Sequence, residues 1–298
     1  MNNYPIVLAH GIARFDFLLQ RLSEISSRLG IPGLLPNDRL HYFKGIAGHL
    51  RANGFNVFHS SVSFAAGVTR RASDLKSQVE LALSLQPGQD RVHIIGHSMG
   101  GLDARHMIVE LGMAEKVASL TTIGTPHNGT SFADWGIAHN GDAIIRAVSA
   151  AIDLGGFADL TTDACRSFNE SAQESEASTD VVYQVYSATQ PVKQVFGPLK
   201  AAWKIINSVE GANDGLVSGS SQLWQTELTG SAGSTKTIHQ HTFPVSADHL
   251  NEIGWWDLDQ IRLSDLLDGN LVDDAKRYEL QIRNVYLDIA RSVQLLPT

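Results

Sequence analysis

The chain has 298 residues, of which 43% are hydrophobic and 18% charged, and its formal net charge is −8. This is a folded globular composition, long enough for one large core or two smaller ones. With no Lys/Arg run, it excludes a nucleic-acid binder, which needs a cationic face to displace phosphate counterions. It also excludes electrostatic docking on an anionic membrane, but not docking through apolar surface. The single cysteine, Cys165, rules out an intrachain disulfide and a zinc site built on several cysteines, and reads as a buried thiol. No run of about 18 uncharged apolar residues is present, so no transmembrane helix is expected. The segment from Met1 to Leu8 lacks the charged, apolar and cleavage regions of a signal peptide. These features favour the cytoplasm, with leaderless or processed secretion as the alternatives.

Short apolar runs alternate with helical periodicity along the chain, the pattern of a mostly parallel sheet covered by helices on both faces. Strands are expected at Ile6–Ala9, Phe55–His59, Arg91–Ile95, Ser119–Ile123, Val181–Ser187 and Thr237–Val245. Helices are expected at Phe15–Leu29, stopped by Gly30 and Pro32, then at Ala72–Leu85, at Gly100–Leu111 and from Tyr278 to Val293. The whole chain, 1–298, reads as a single α/β domain with insertions at about 14–41 and about 132–176. Within the second insertion, Asp142–Leu154 is apolar apart from a stripe of Asp142, Arg146, Ser149 and Asp153. A face that wide suits either a buried helix or a lid over a cleft.

Gly96-His97-Ser98-Met99-Gly100 is a G-x-S-x-G pattern, and its setting gives it weight. An apolar strand leads into it and a helix leaves it, as a nucleophile elbow requires. Ser98 then stands at a helix N-terminus, where partial positive charge favours a developing anion. An acyl-transfer enzyme also needs two N–H donors for its oxyanion. Met99, which follows the serine, supplies one, and Ile12, in the loop after the first strand, is the candidate for the other. His10-Gly11 taken alone reads as a strand-end turn with Gly at positive φ.

On this architecture the usual order is serine, acid, histidine, with the histidine after the last strand. His239 and His241 fall inside an expected strand, whereas His249 lies on the loop beyond it and is the better base. Asn213-Asp214-Gly215 is a turn between the fifth strand and that loop, so Asp214 is the candidate acid, ahead of Asp163 and Asp180. His97 reads as a local packing or hydrogen-bonding residue.

Together, the segments Tyr4–Gly11, Gly96–Gly101, Thr122–Gly129, Phe132–Asp134, Ala188–Pro191, Asn213–Ser218 and Asp248–Glu252 resemble the bacterial true lipases of the Pseudomonas and Burkholderia type. The resemblance runs in order along nearly the whole chain. It implies an α/β-hydrolase fold with a helical lid, a Ser98–His249–Asp214 triad, an oxyanion hole at Ile12 and Met99, and an ester or lipid substrate at a lipid–water interface. A non-lipolytic esterase or polyester hydrolase with the same triad is the nearer alternative. A non-catalytic binding protein on the same fold is the farther one.

Two departures from the family stand out. Ser218-Gly-Ser-Ser221 occupies the segment where extracellular members often carry a disulfide. Those members also hold a structural calcium, using an Asp before the acid, another two residues after the histidine, and a Gln about four residues further on. Here Val181–Asn213 contains no Asp, and Asn251 and Trp255 stand at the other two positions. Hard calcium depends on carboxylate oxygens. The expectation is therefore no metal and no cofactor, with the histidine loop held by packing around Trp255 and Trp256.

Overall fold

The computed structural model describes residues 2–12, 42–63, 66–139, 144–145, 148, 156–231, 233–256, 260 and 271–296. Their strands are β1 (Ile6–Ala9), β2 (Val57–His59), β3 (Val92–His97), β4 (Val117–Ile123), β5 (Val182–Ser187), β6 (Glu227–Thr229) and β7 (Thr235–Thr242). They form one 7-stranded sheet in the order β2-β1-β3-β4-β5-β7-β6. Every pairing is parallel except the edge hairpin of β6 with β7.

The helices are α1 (Ile46–Ala52), α2 (Val68–Ser84), α3 (Met99–Glu110), α4 (Ser131–Ala138), α5 (Thr162–Ser178), α6 (Lys200–Val209), α7 (Gly219–Gln222) and α8 (Leu271–Val293). Alternating residues of a strand point to opposite faces, and a parallel sheet must be covered on both. In β1, Ile6 and Leu8 join the core built with Ile46 and Leu50 of α1 and with Ile282 and Ile289 of α8. Val7 and Ala9 join the opposite core, with Leu75 and Val79 of α2 and Met107 and Ile108 of α3. All six residues of β3 are buried, because this central strand is sealed on both sides.

The strands expected from the sequence are present, with ends that differ by a few residues. β3 continues through Gly96-His97 to the nucleophile candidate. β6 was not expected, since three residues with two exposed give almost no periodic signal. The expected helix at Phe15–Leu29, the insertion at about 14–41 and most of the Asp142–Leu154 helix lie outside the described residues. Of that last segment, Ile145 and Val148 are buried in the same core as Met99, Phe132 and Phe157.

Candidate active site

The site forms at the C-terminal edge of the parallel strands, where such folds bind ligands. Ser98 links β3 to α3 with φ 57° and ψ −133°, a conformation that costs a non-glycine residue energy and is kept where the surroundings impose it. Gly100 shows what imposes it: a Cβ there would lie 2.3 Å from the Ala9 carbonyl oxygen. The loop after β1 is equally close. A Cβ on Gly11 would stand 2.6 Å from Ser98 Cβ, and Gly11 is not among the glycines with positive φ. Gly11 is therefore required by the close approach of the serine, and not by the positive φ that a strand-end turn suggests.

The structure brings the three candidate residues together. His249 and Asp214 are buried, with His249 Nδ1 2.8 Å from Asp214 Oδ2. His249 N–H also donates to the Asp214 carbonyl at 2.9 Å, tying the two loops by backbone. The remaining acceptor capacity of the Asp214 carboxylate is well used. Oδ1 accepts from the N–H groups of Leu216 and Val217, both at 2.8 Å, and Oδ2 accepts from Gln222 Nε2 at 3.0 Å. Ser98 and His249 line one cavity with Ile12, Pro126, Thr130, Phe132, Phe157, Leu160, Leu216 and Val217. Its volume of about 20 Å³ has no room for an acyl chain. The rival residues lie elsewhere: His239 and His241 are exposed on β7, and Asp163 and Asp180 are exposed. A larger cavity of about 710 Å³ lies beyond the histidine loop, near Trp256, Tyr278 and Asp288, and contains none of Ser98, Asp214 or His249.

Several buried residues around the site carried no clear sequence signal. Arg71 pairs with Asp103 at 2.7 Å and donates to the His10 carbonyl at the same distance, clamping the loop after β1 to α3. Burial pushes the Asp103 carboxyl up to about 6 against the pull of Arg71. His97 is not a local packing residue. Its Nε2 lies 2.9 Å from Glu252 Oε2 and its Nδ1 2.7 Å from the Tyr42 hydroxyl, partners 155 and 55 residues away. Burial, then the neighbouring His249, holds the His97 imidazole well below its ordinary value. Burial, then Asp214 and Asp248, pushes the Glu252 carboxyl well above its own. The only available signal was that Glu252 lies in the same histidine loop.

Two places could be weighed for a metal. His97, His249 and Glu252 have ligand atoms within 4.8 Å of one another. All three are buried, and the hydrogen bonds just given already engage the Glu252 Oε2, both His97 ring nitrogens and His249 Nδ1. The residues around Asp248 do not fit calcium. Its Oδ1 accepts from the N–H groups of Leu250 and Asn251 at 3.0 and 2.9 Å. Its Oδ2 accepts from Phe196 N–H at 2.7 Å and Gln260 Nε2 at 2.6 Å. Asn251 Nδ2 in turn donates to the Trp255 carbonyl at 2.7 Å. A hard cation needs oxygens free of competing donors, and here N–H groups occupy them. Trp255 and Trp256 are buried, and their Nε1 atoms donate to Tyr42 O and Glu279 Oε1 at 2.8 and 3.1 Å. A polar network thus ties the histidine loop together, with the buried Trp255 and Trp256 bonded into the surrounding structure.

A strained serine between a parallel strand and a helix, with a buried histidine–aspartate pair beside it, defines an α/β-hydrolase of the serine carboxylester hydrolase class. Residues 59–162 match the PGAP1-like alpha/beta domain family. The chain is 31% identical over 246 residues to a triacylglycerol lipase of Vibrio cholerae, covering 72% of each. It is 28% identical to triacylglycerol lipase 2 of Saccharomyces cerevisiae, covering 84% of this chain and 80% of that one. The structure of lipase 1 from Pelosinus fermentans superposes over the full length of both chains with a TM-score of 0.65, at 17% identity. The chain belongs to the bacterial triacylglycerol lipase family and is a carboxylic ester hydrolase. No helix among the described residues is long and apolar enough to cross a membrane.

Proposed function

We propose that the chain is a triacylglycerol lipase acting through Ser98, His249 and Asp214. The observation that carries this reading is the placement of Ser98 and His249 on one cavity, with Asp214 bonded to the far side of the imidazole at 2.8 Å. His249 takes the proton from Ser98 as its oxygen adds to the ester carbonyl. The N–H groups of Ile12 and Met99 receive the oxyanion. The tetrahedral adduct collapses, the ester C–O bond breaks, and His249 passes the proton to the leaving alcohol. Water then repeats both steps on the acyl-enzyme, releasing the acid and restoring the serine. Asp214 holds the imidazole in orientation and balances its positive charge.

The smallness of the cavity and its apolar cover of Phe132, Phe157 and Leu160 support a lid that opens onto lipid. The enzyme works without calcium in this reading, because N–H donors already satisfy the Asp248 carboxylate.

Ser98→Ala should lower hydrolysis of p-nitrophenyl esters by about four orders of magnitude or more, with the fold intact. Wild-type turnover by folded Ser98→Ala protein would overturn the mechanism. A rate on emulsified long-chain triacylglycerol no higher than on dissolved short ester would leave an esterase in place of a lipase.

A further inference from the structure

Tyr42 touches three of the loops that build the site. Its hydroxyl lies 2.7 Å from His97 Nδ1, on the strand end that leads into Ser98. The same hydroxyl is 2.7 Å from where a Cβ would stand on Gly11, the residue before Ile12. Its carbonyl accepts from Trp255 Nε1 of the histidine loop at 2.8 Å. The ring packs 5.5 Å from that of His10 and 5.7 Å from that of His97. His97 is held from its other side by Glu252, 2.9 Å away, and its ring centre lies 4.6 Å from that of His249. Tyr42 is 6% exposed, and His97 and Glu252 are fully buried. A buried chain Glu252–His97–Tyr42 therefore ends against the backbone of Gly11.

We propose that Tyr42 is a positioning residue for the oxyanion hole, its hydroxyl locking Gly11-Ile12 against Ser98 through the bond to His97. This rests on the reading that Ile12 supplies an oxyanion donor. The physical reason is one of tolerance. Backbone N–H groups stabilise an oxyanion only when preorganised at hydrogen-bonding distance from where the charge develops, and small misplacements cost large factors in rate. A tyrosine whose hydroxyl is anchored to a buried imidazole fixes that backbone more firmly than a phenyl ring, which packs without direction. Glu252 orients the His97 ring from its other side, as outer hydrogen-bond partners do for functional histidines.

The test uses the full-length enzyme. Tyr42→Phe removes one oxygen and keeps the ring. It should lower kcat on p-nitrophenyl butyrate about tenfold while KM changes less than twofold. Binding of a trifluoromethyl ketone, whose hemiketal oxyanion occupies the hole, should weaken by the same factor as kcat/KM. His97→Gln keeps a polar group toward Glu252 and withdraws the partner of the phenol, so it should give the same loss. The double variant should be no worse than either single one, since both cut one chain. Unchanged kcat and unchanged ketone affinity in folded Tyr42→Phe would overturn the proposal, as would additive losses in the double variant. Should Tyr42→Phe not fold, the same kinetic and ketone readouts on His97→Gln decide, and wild-type values there overturn it. These outcomes are separate from the triad reading, because Ser98→Ala must be inactive in either case.

Discussion

Two histidine–carboxylate pairs lie side by side under this site, and they are built differently. In the His249–Asp214 pair the carboxylate accepts three further N–H donors, from Leu216, Val217 and Gln222. In the His97–Glu252 pair one carboxyl oxygen, Oε1, is buried with no hydrogen-bond partner among the described residues. Both carboxylates are fully buried, so burial alone does not separate them. What separates them is the solvation that the protein provides. Donors aimed at Asp214 support a negative charge, which can balance an imidazolium across the ring. Glu252 has no partner for Oε1 among the described residues, and its burial together with Asp214 and Asp248 holds its carboxyl well above the usual carboxylate range. One pair is therefore suited to charge development, and the other to hydrogen-bonded support.

The largest expected effect breaks this contrast directly. Asp214→Asn should lower kcat/KM by about four orders of magnitude, because an amide no longer selects the tautomer or balances the charge. Glu252→Gln should stay within about threefold of wild type, since an amide keeps a hydrogen-bonding group of the same shape toward His97 Nε2. Equal losses in steady-state ester hydrolysis would erase the distinction. His249→Ala should match Ser98→Ala, while His241→Ala, on an exposed strand, should leave the rate unchanged.

A smaller effect sharpens the solvation argument. Gln222→Ala removes one of the donors on Asp214 and leaves the two backbone ones, so a loss of about tenfold in kcat is expected. A wild-type rate would mean that the backbone donors alone suffice.

Acid stability follows from buried histidines. Burial lowers His10, His93 and His106 to about 4, and His97 and His127 well below their ordinary 6.5. The unfolded chain takes up these protons first, so the stability from keeping the rings neutral is full above about pH 6.5 and is lost as pH falls through about 4. Asp103 and Asp248, raised to about 6, and Glu252, raised well above 4.5, act in the opposite sense, because the folded state binds their protons first. With His241 also lowered by burial, six histidines outnumber three carboxyls, so the melting temperature should fall between pH 6.5 and 4. A flat or rising profile in thermal melts would show the carboxyls to dominate.

The smallest effect concerns the loop that carries His249. EDTA should shift the melting temperature by less than about 1 °C, because the Asp248 carboxylate is satisfied by N–H donors. A fall of several degrees, reversed by calcium, would show that a cation holds the loop.

The catalytic candidates and the sheet were legible in the sequence for reasons that are local. A tight strand–helix turn needs glycines around Ser98, buried parallel strands need apolar runs, and chain order narrows the base and the acid to His249 and Asp214. These constraints act within a few residues or follow from topology, so they leave a pattern in one dimension. The partners beneath the site leave none. Tyr42, Arg71, Gln222 and Glu252 belong to residue types that abound on any surface, and nothing in their neighbours marks them as buried. Only the tertiary structure decides that His97 meets Tyr42 and Glu252, that Arg71 closes on the His10 carbonyl, and that Gly11 is needed for its nearness to Ser98. Those contacts depend on where distant segments converge, and desolvation, which makes them matter, is a property of the folded whole.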